Sequence, residues 1–488
     1  MSEAAEGQPG QGMAAAVQPV VMKFGGTSLE DGAAIRRAIR IVKQRLRHRP
    51  VVVASALAEV TDQLLSAGKA AANGELAGAR EMLQVLQRRH EQVGLDVAGP
   101  ERSDPLRIEL AAEFLQIHAV LSRVASGHEL TARLQDELLS YGESVSSRIV
   151  QAAFVQGGLN AVWVDARACI VTDAAHTQAT PLWEETNQRV QEAMHPLLTQ
   201  AKIPVLGGFI GATRDGIPTT LGRGGSDFTA SIVGAALLAS RIEIWTDVDG
   251  ILTTDPKLCP DARRVPSMSF EEAADLAYFG AKVLHPASIA PAMRKNILVW
   301  VLNSRNPEGK GTEIVAHPGD ECVMKAITAK MGVTVVDVNA VRWLAPELLR
   351  EIFEVFERHN YSLDLLSASR GSLSLLVTST EALPKIAEEL KGLANVRWQN
   401  HKALVCLVGE KVRRQPEIAS QVFRALSDVD LRMICQGASE RNISFLVDES
   451  RAEDLVRRLH RLFFPSRFDR YSATQSAEPM CQAEGSWQ

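Results

Sequence analysis

Val20-Val21-Met22-Lys23-Phe24-Gly25-Gly26-Thr27-Ser28 joins an apolar run to a lysine, an aromatic ring, two glycines and two hydroxyl residues. A buried strand that stops at Gly25-Gly26 can leave successive backbone N–H groups facing an anion, with Lys23 two residues away to add a full positive charge. The same residues also suit a strand that ends in an ordinary glycine turn, its lysine reaching out to solvent. The stretch alone leaves both readings open, and its neighbours decide between them.

Downstream, Leu29, Ala33, Ile35, Ala38, Ile39, Val42 and Leu46 recur at helical spacing over residues 29–48. The cations Arg45, Arg47, His48 and Arg49 complement the end of that helix, and Pro50 is expected to stop it. Val51, Val52, Val53 and Ala54 then form a continuous apolar strand leading to Ser55, which makes a βαβ unit and implies a parallel sheet. Residues 61–97 and 106–158 read as mostly helical, and Tyr141-Gly142-Glu143-Ser144 interrupts their apolar face. That interruption is unusual, and its plainest alternative is an exposed helical glutamate at Glu143. Strands are expected at 162–166 and 203–206, the latter ending at Gly207-Gly208, with a helix at 184–200 between them. Repeated strand-then-glycine endings suit a doubly wound sheet whose ligands gather at strand C-termini.

A second glycine-rich stretch, Thr219-Thr220-Leu221-Gly222-Arg223-Gly224-Gly225-Ser226-Asp227, opens into an alanine-rich helix expected over residues 228–239. Glycines at a helix N-terminus beside an arginine favour an anion site, although Asp227 also suits a first helical turn simply as an acid. After a strand at 242–245 come Thr246-Asp247-Val248-Asp249-Gly250 and Thr253-Thr254-Asp255-Pro256-Lys257. Their aspartates fit Asx turns, or contacts to a nucleotide and its magnesium. Phe279-Gly280-Ala281-Lys282-Val283-Leu284-His285-Pro286 supplies another lysine, with His285 read as a packed or capping residue. A strand at 298–301 and a loop to Thr312 close this first region.

The chain of 488 residues is too long for one core. A net charge of −5 and an aromatic content of 5% offer neither a basic footprint nor stacking platforms for nucleic acid. Six scattered cysteines form no CxxC pair and read as reduced thiols, and no metal-ligand set stands out. Residues 1–19 have neither a basic start nor an apolar h-region, and no run approaches the ~20 apolar residues of a membrane span. The expectation is a soluble, cytoplasmic protein that binds no nucleic acid and no membrane.

From about residue 320 an internal repeat appears. Ile352, Phe353, Leu363, Ala368, Ser369, Ser374, Leu376 and Val377 match Val422, Phe423, Met433, Ala438, Ser439, Ser444, Leu446 and Val447 at one constant offset. Each copy reads helix, polar break, strand, small-residue turn, strand, a compact αβ unit able to pair with the other edge to edge.

No GxxxxGK[ST] loop, complete dinucleotide fingerprint, protein-kinase signature or Ser-His-Asp set occurs. What remains along one sheet edge is a set of glycine loops, lysines, an arginine and aspartates, which suits phosphoryl transfer: hold the phosphates, neutralise the transferred group, align the acceptor. A carboxylate acceptor titrates near ~3.9, is already ionised at neutral pH and needs no general base.

Together, Lys23-Phe24-Gly25-Gly26-Thr27-Ser28, Leu221 to Asp227, Trp245-Thr246-Asp247-Val248-Asp249-Gly250, Thr254-Asp255-Pro256 and Phe279 to Pro286 resemble the aspartate kinases of the amino acid kinase family. The repeat resembles their paired ACT domains, and Arg432-Met433-Ile434-Cys435-Gln436-Gly437-Ala438-Ser439 is similar to the second of these in lysine-sensitive forms. The resemblance spans about residues 20–465 and implies an α/β chain. Its amino acid kinase domain, a mostly parallel sheet sandwiched by helices, would cover 20–318. Two ferredoxin-like βαββαβ ACT domains would follow at 332–401 and at 319–331 with 402–470, with disordered tails at 1–19 and 471–488. It further implies that Lys23 stabilises the transferring phosphoryl group, with Asp227 as its catalytic partner, and that Gly25 and Gly26 bind phosphate. Ser55, Thr61, Glu143, Arg223, Gly224, Gly225, Ser226 and Asp227 would surround L-aspartate, Arg223 clamping its α-carboxylate and Glu143 receiving its α-amino group. Thr246, Asp247, Lys257 and Lys282 would contact ATP, with Mg2+ as cofactor and 4-phospho-L-aspartate as product. Ser362, Leu363, Asp364 and Ser369 would line an effector pocket, and ACT strands would join a homodimer or a dimer of dimers.

Three positions depart from the family pattern. Ala58-Glu59 stands where an Ala-Gly step is usual, Arg370 where an acid often follows the serine of the first ACT copy, and Ala345-Pro346 where polar residues precede a helix. A positive charge at Arg370 would repel the ammonium of lysine, so feedback by lysine is an open expectation. A kinase for another carboxylate, or a silent amino-acid sensor, are the alternative readings.

Overall fold

The opening run forms a strand, Val20–Phe24, buried along its whole length. Its side chains alternate in the way a strand demands: Val20, Met22 and Phe24 enter the main core, whereas Lys23 points to the opposite face. The computed structural model describes residues 18–281, 284–319, 323–341, 344–359, 361, 363, 365–436 and 439–465. These fall into two compact units. One gathers the described residues up to Val248 with Ser288–Gly309; the other gathers Asp249–Ala287 with the described residues from Lys310 on.

In the first unit the strands Ala161–Val164, Ile203–Gly207, Pro50–Ala54, Val20–Phe24, Arg241–Thr246 and Leu298–Asn303 lie side by side in that order. Every neighbouring pair is parallel. From Val20–Phe24 the chain moves first to one side of the sheet and later to the other, so the strand order reverses at this strand. In open parallel sheets such a reversal opens a crevice at the strand C-termini, which is where Lys23, Gly25 and Gly26 sit.

The helices Gly32–Lys43, Val60–Ala72, Leu76–Ala98, Pro100–Gly127 and Ala132–Gln156 share the core with Val20, Met22 and Phe24. Gly32–Lys43 is shorter than the expected 29–48 because Asp31 caps it, accepting the Ala34 amide at 2.7 Å, and the chain tightens into a 3-10 turn at Leu46–His48. Pro50 does not stop that helix, which has already ended at Lys43; it is the first residue of the next strand, where a missing N–H is tolerated. The mostly helical stretch expected over 106–158 comprises two helices, separated by His128 in a left-handed turn and recapped by Thr131. The helix expected to begin at residue 228 begins at Gly225, which places Asp227 inside its first turn.

The second unit is built on a six-stranded antiparallel sheet with the order Leu365–Ala368, Ser372–Val377, Met324–Ala340, Ala394–Gly409, Asn442–Asp448, Met433–Gln436. The two copies of the repeat flank the long central strands, their helices Pro346–Arg358 and Pro416–Ala425 opening on equivalent prolines. Met324–Lys330 lies opposite Leu404–Gly409 and Val333–Ala340 opposite Ala394–Lys402, with a register shift between Lys330 and Val333. Each half has its own apolar core. Inside this unit Thr253 bonds His460 at 2.8 Å and the Leu258 carbonyl accepts from Arg457 at 2.7 Å, so the last helix, Glu449–Phe463, grips the turn that carries Lys257. No helix among the described residues is long and apolar enough to cross a membrane.

Candidate active site

At the end of the Val20–Phe24 strand, Lys23 Nζ lies 2.6 Å from Asp227 Oδ1, with both side chains almost wholly withdrawn from water. The sheet supplies the lysine and the first turn of Gly225–Ala236 supplies the acid, so the pair ties a strand end to a helix N-terminus. Gly25 and Gly26 act differently from each other. The Gly25 amide donates to the Trp245 carbonyl at 3.0 Å and is used within the fold, correcting the expectation of two free donors. A Cβ there would stand 3.5 Å from Lys23 Nζ, so Gly25 gives the ammonium room. Gly26 opens a 3-10 turn, Gly26–Ser28, and its amide has no acceptor among the described residues. A Cβ on it would press to 3.0 Å from the Ala56 carbonyl, which fixes the strand end against the loop after Ser55.

That loop is held from several sides. The Ser55 amide donates to Phe24 O at 3.1 Å, and its carbonyl accepts from Ser146 at 2.7 Å. Arg89 donates to Ala58 O at 2.7 Å. Thr61 is the second residue of Val60–Ala72, and Glu59, which caps that helix, adopts φ 69°. Glycine takes this left-handed conformation freely and glutamate does not. The departure from the Ala-Gly step therefore has a visible backbone consequence.

Glu143 is not exposed. It is 3% accessible, packed where Gly207 meets the helix Ala132–Gln156: a Cβ on Gly207 would come 3.1 Å from Glu143 Cβ. Burial pushes its carboxyl up to about 8, against the partial relief of a hydrogen bond from the Ala56 amide. Its Oε2 is buried without a hydrogen-bond partner. A buried carboxyl with one oxygen unsatisfied is costly unless something else supplies the donor.

The remaining expected residues vary in placement. A Cβ on Gly208 would come within 2.6 Å of Ser226 Cβ, so Ser226 lies directly over the strand end below Glu143. Gly224 caps the helix at φ 72°, and Gly225 packs on Phe209. Arg223, just ahead of them, is exposed and forms no ion pair with the described residues. Thr246 donates to Asp247 at 3.2 Å at the exposed end of the neighbouring strand. Lys257 belongs to the second unit, on a turn where its amide donates to Asp255 at 2.8 Å. Lys282, Ser362 and Asp364 lie outside the described residues. Of the other effector residues, Leu363 is part-buried against the core of the first repeat copy, and Ser369 bonds Ser372 at 2.7 Å on an exposed turn.

Residues 18–303 match the amino acid kinase family and residues 405–463 the ACT domain. The chain is 35% identical to aspartokinase 1, chloroplastic, of Arabidopsis thaliana, over 91% of this chain and 80% of that one. The chain belongs to the aspartokinases. Among solved structures, E. coli aspartokinase III in complex with aspartate and ADP superposes with a TM-score of 0.81, at 33% identity and covering 91% of this chain and 99% of that one. The same E. coli protein in complex with lysine and aspartate gives 0.76, at 34% identity and the same coverage. As an aspartokinase the chain is a phosphotransferase with a carboxyl acceptor, built on the amino acid kinase fold with C-terminal ACT repeats. Aspartokinase motifs led to Glu143, but no motif led to Asp136, seven residues earlier on the same helix. That residue is fully buried and accepts from His176, Thr177 and Thr220. The signal available in the sequence was an aspartate on the apolar face of a helix, one heptad before Glu143.

Proposed function

We propose that this chain phosphorylates the β-carboxylate of L-aspartate with ATP to give 4-phospho-L-aspartate, the first step towards lysine, threonine and methionine. The observation that carries the reading is the buried, half-satisfied carboxyl of Glu143 at the sheet edge that also holds the Lys23–Asp227 pair. The α-ammonium of an amino acid is the cation that Glu143 Oε2 lacks. Arg223, exposed and without an ion-pair partner among the described residues, matches the α-carboxylate in bidentate fashion. With both ends held, the β-carboxylate faces the Lys23 end of the crevice.

One oxygen of that carboxylate attacks the γ-phosphorus. The new O–P bond forms as the bond to the β-phosphate oxygen breaks, and ADP leaves with that electron pair. No proton moves, because the acceptor is already ionised. Lys23 then follows the transferring charge, and Asp227 holds its ammonium in the crevice before the phosphates arrive. The Gly26 amide adds a donor for phosphate. Thr246 and Asp247 serve the nucleotide, a role the resemblance also implies for Lys257 and Lys282. The exposed Asp247 carboxylate would hold Mg2+ together with the substrate phosphates. The chemistry it would supply there is neutralisation of phosphate charge.

The ACT repeats serve amino-acid feedback, with lysine the first effector to examine. Their exposed edge strands Leu365–Ala368 and Met433–Gln436 favour a homodimer, and the enzyme is cytoplasmic on this reading. Purified protein with MgATP, aspartate and hydroxylamine should yield the hydroxamate of the acyl phosphate. Product with another carboxylate but none with aspartate would sink the assignment.

A further inference from the structure

Asp136 has no part in the chemistry above, yet it is a fully buried carboxylate with three converging donor groups. Its Oδ2 accepts from His176 Nδ1 at 2.8 Å and from the Thr177 amide at 2.9 Å, and its Oδ1 accepts from the Thr220 hydroxyl at 2.5 Å. Thr177 sits at φ 71°, a conformation that a β-branched residue avoids. Strain of this kind persists only where surrounding contacts impose it, and it concentrates beside functional loops. The strained turn reaches that loop twice: the Ala179 amide donates to Thr220 O at 2.9 Å, and a Cβ on Gly222 would stand 3.2 Å from the Thr177 carbonyl. Gly222, Arg223 and Gly224 follow Thr220 after the single residue Leu221, with both glycines in the left-handed region.

We propose that Asp136 is a positioning residue for substrate specificity: through Thr220 and the His176–Thr177 turn it sets the loop that aims Arg223 at the α-carboxylate of the amino acid. Helix Ala132–Gln156 thus carries both ends of the recognition, Glu143 directly and Arg223 by way of Asp136. The inference rests on the aspartate-kinase reading given above.

The test compares aspartate with two competitors: succinate, which keeps both carboxylates and lacks the amine, and β-alanine, which keeps the amine and lacks the α-carboxylate. Asp136→Asn should weaken aspartate and succinate about tenfold, the loss expected for one hydrogen bond to a charged group. Binding of β-alanine and the KM for ATP should stay within about twofold. In an Arg223→Ala background the same change should add nothing, because a residue that acts through Arg223 has nothing left to position. Thr220→Val removes one donor and keeps the buried charge. It should give the same selective loss and Thr220→Ser should restore binding, which decides the matter even if Asp136→Asn does not fold. Equal weakening of all three ligands, additivity with Arg223→Ala, or unchanged aspartate binding in folded Thr220→Val would overturn the proposal. A wild-type protein that binds aspartate but forms no hydroxamate would count against the kinase reading alone.

Discussion

Asp136 and Glu143 are both buried carboxylates on the helix Ala132–Gln156, seven residues apart and so on one face. Their surroundings differ. Asp136 is saturated: a ring nitrogen, an amide and a hydroxyl converge on it. Glu143 has the Ala56 amide on one side and an unpartnered Oε2 on the other, and burial holds its carboxyl near 8. A saturated buried acid organises the chain around itself. A half-satisfied one keeps a place for a cation that the chain does not supply, and that difference separates architecture from ligand recognition more sharply than burial does.

The contrast is open to direct attack by substitution. Glu143→Gln keeps the shape and removes the charge, so it should leave the fold intact. It should lower kcat/KM for aspartate about 1,000-fold, the scale of losing one partner from a buried charge pair. Asp136→Ala should do damage of another kind: it strands the His176 and Thr177 donors and should cost about 3 kcal/mol of stability. Calorimetric melting of both variants beside steady-state kinetics tests this. If Glu143→Gln melted far below wild type, or Asp136→Ala melted with it, the distinction would fail.

A second way to sharpen the comparison is pH. Glu143 titrates near 8 in the folded chain against an ordinary value of 4.5, so at neutral pH it carries a proton that an incoming ammonium must displace. The kcat/KM for aspartate should therefore rise about tenfold per unit from pH 6 and level off above about 8, with no such limb in Glu143→Gln. Stability runs the other way. Because the folded value is raised, the neutral carboxyl's contribution is full below about 4.5 and is lost as pH rises through about 8. The melting temperature of Glu143→Gln should gain on wild type over that window, and parallel pH profiles for the two proteins would refute the role given to Glu143.

The parallel sheet was legible because Val20–Phe24, Pro50–Ala54 and Ile203–Gly207 are short apolar runs that end in small or polar residues, and buried strands advertise themselves this way. The repeat was legible as periodicity. Lys23 and Asp227 could be named, but their 2.6 Å contact could not be foreseen, because it depends on a helix that begins three residues earlier than its alanine-rich body. The burial of Glu143 was not legible from pattern alone, which left an exposed helical glutamate open: a glutamate beside a glycine gives no sign that Gly207 of a distant strand closes over it. The use of the Gly25 amide by Trp245 was hidden for the same reason, since local sequence does not show which carbonyl a neighbouring strand presents.

The smallest effect concerns backbone rather than charge, and it carries the comparison to two strained residues. Thr177 and Glu59 both adopt left-handed conformations, at φ 71° and 69°. Thr177 is held there by Asp136 through its amide, whereas the exposed Glu59 side chain makes no capping hydrogen bond to its helix. A left-handed residue costs about 1–2 kcal/mol relative to glycine, and a glycine adds about 0.4–1 kcal/mol of unfolded-chain entropy. Glu59→Gly should therefore gain about 0.5–1 kcal/mol, a rise of a degree or two in melting temperature, with aspartate kinetics unchanged. Thr177→Gly relieves the same strain but frees the turn that Asp136 fixes, so its gain in stability should come with weaker aspartate binding. If both glycine variants behaved alike in kinetics, the strain at Thr177 would have no functional meaning and the hold of Asp136 on the Arg223 loop would lose its second support.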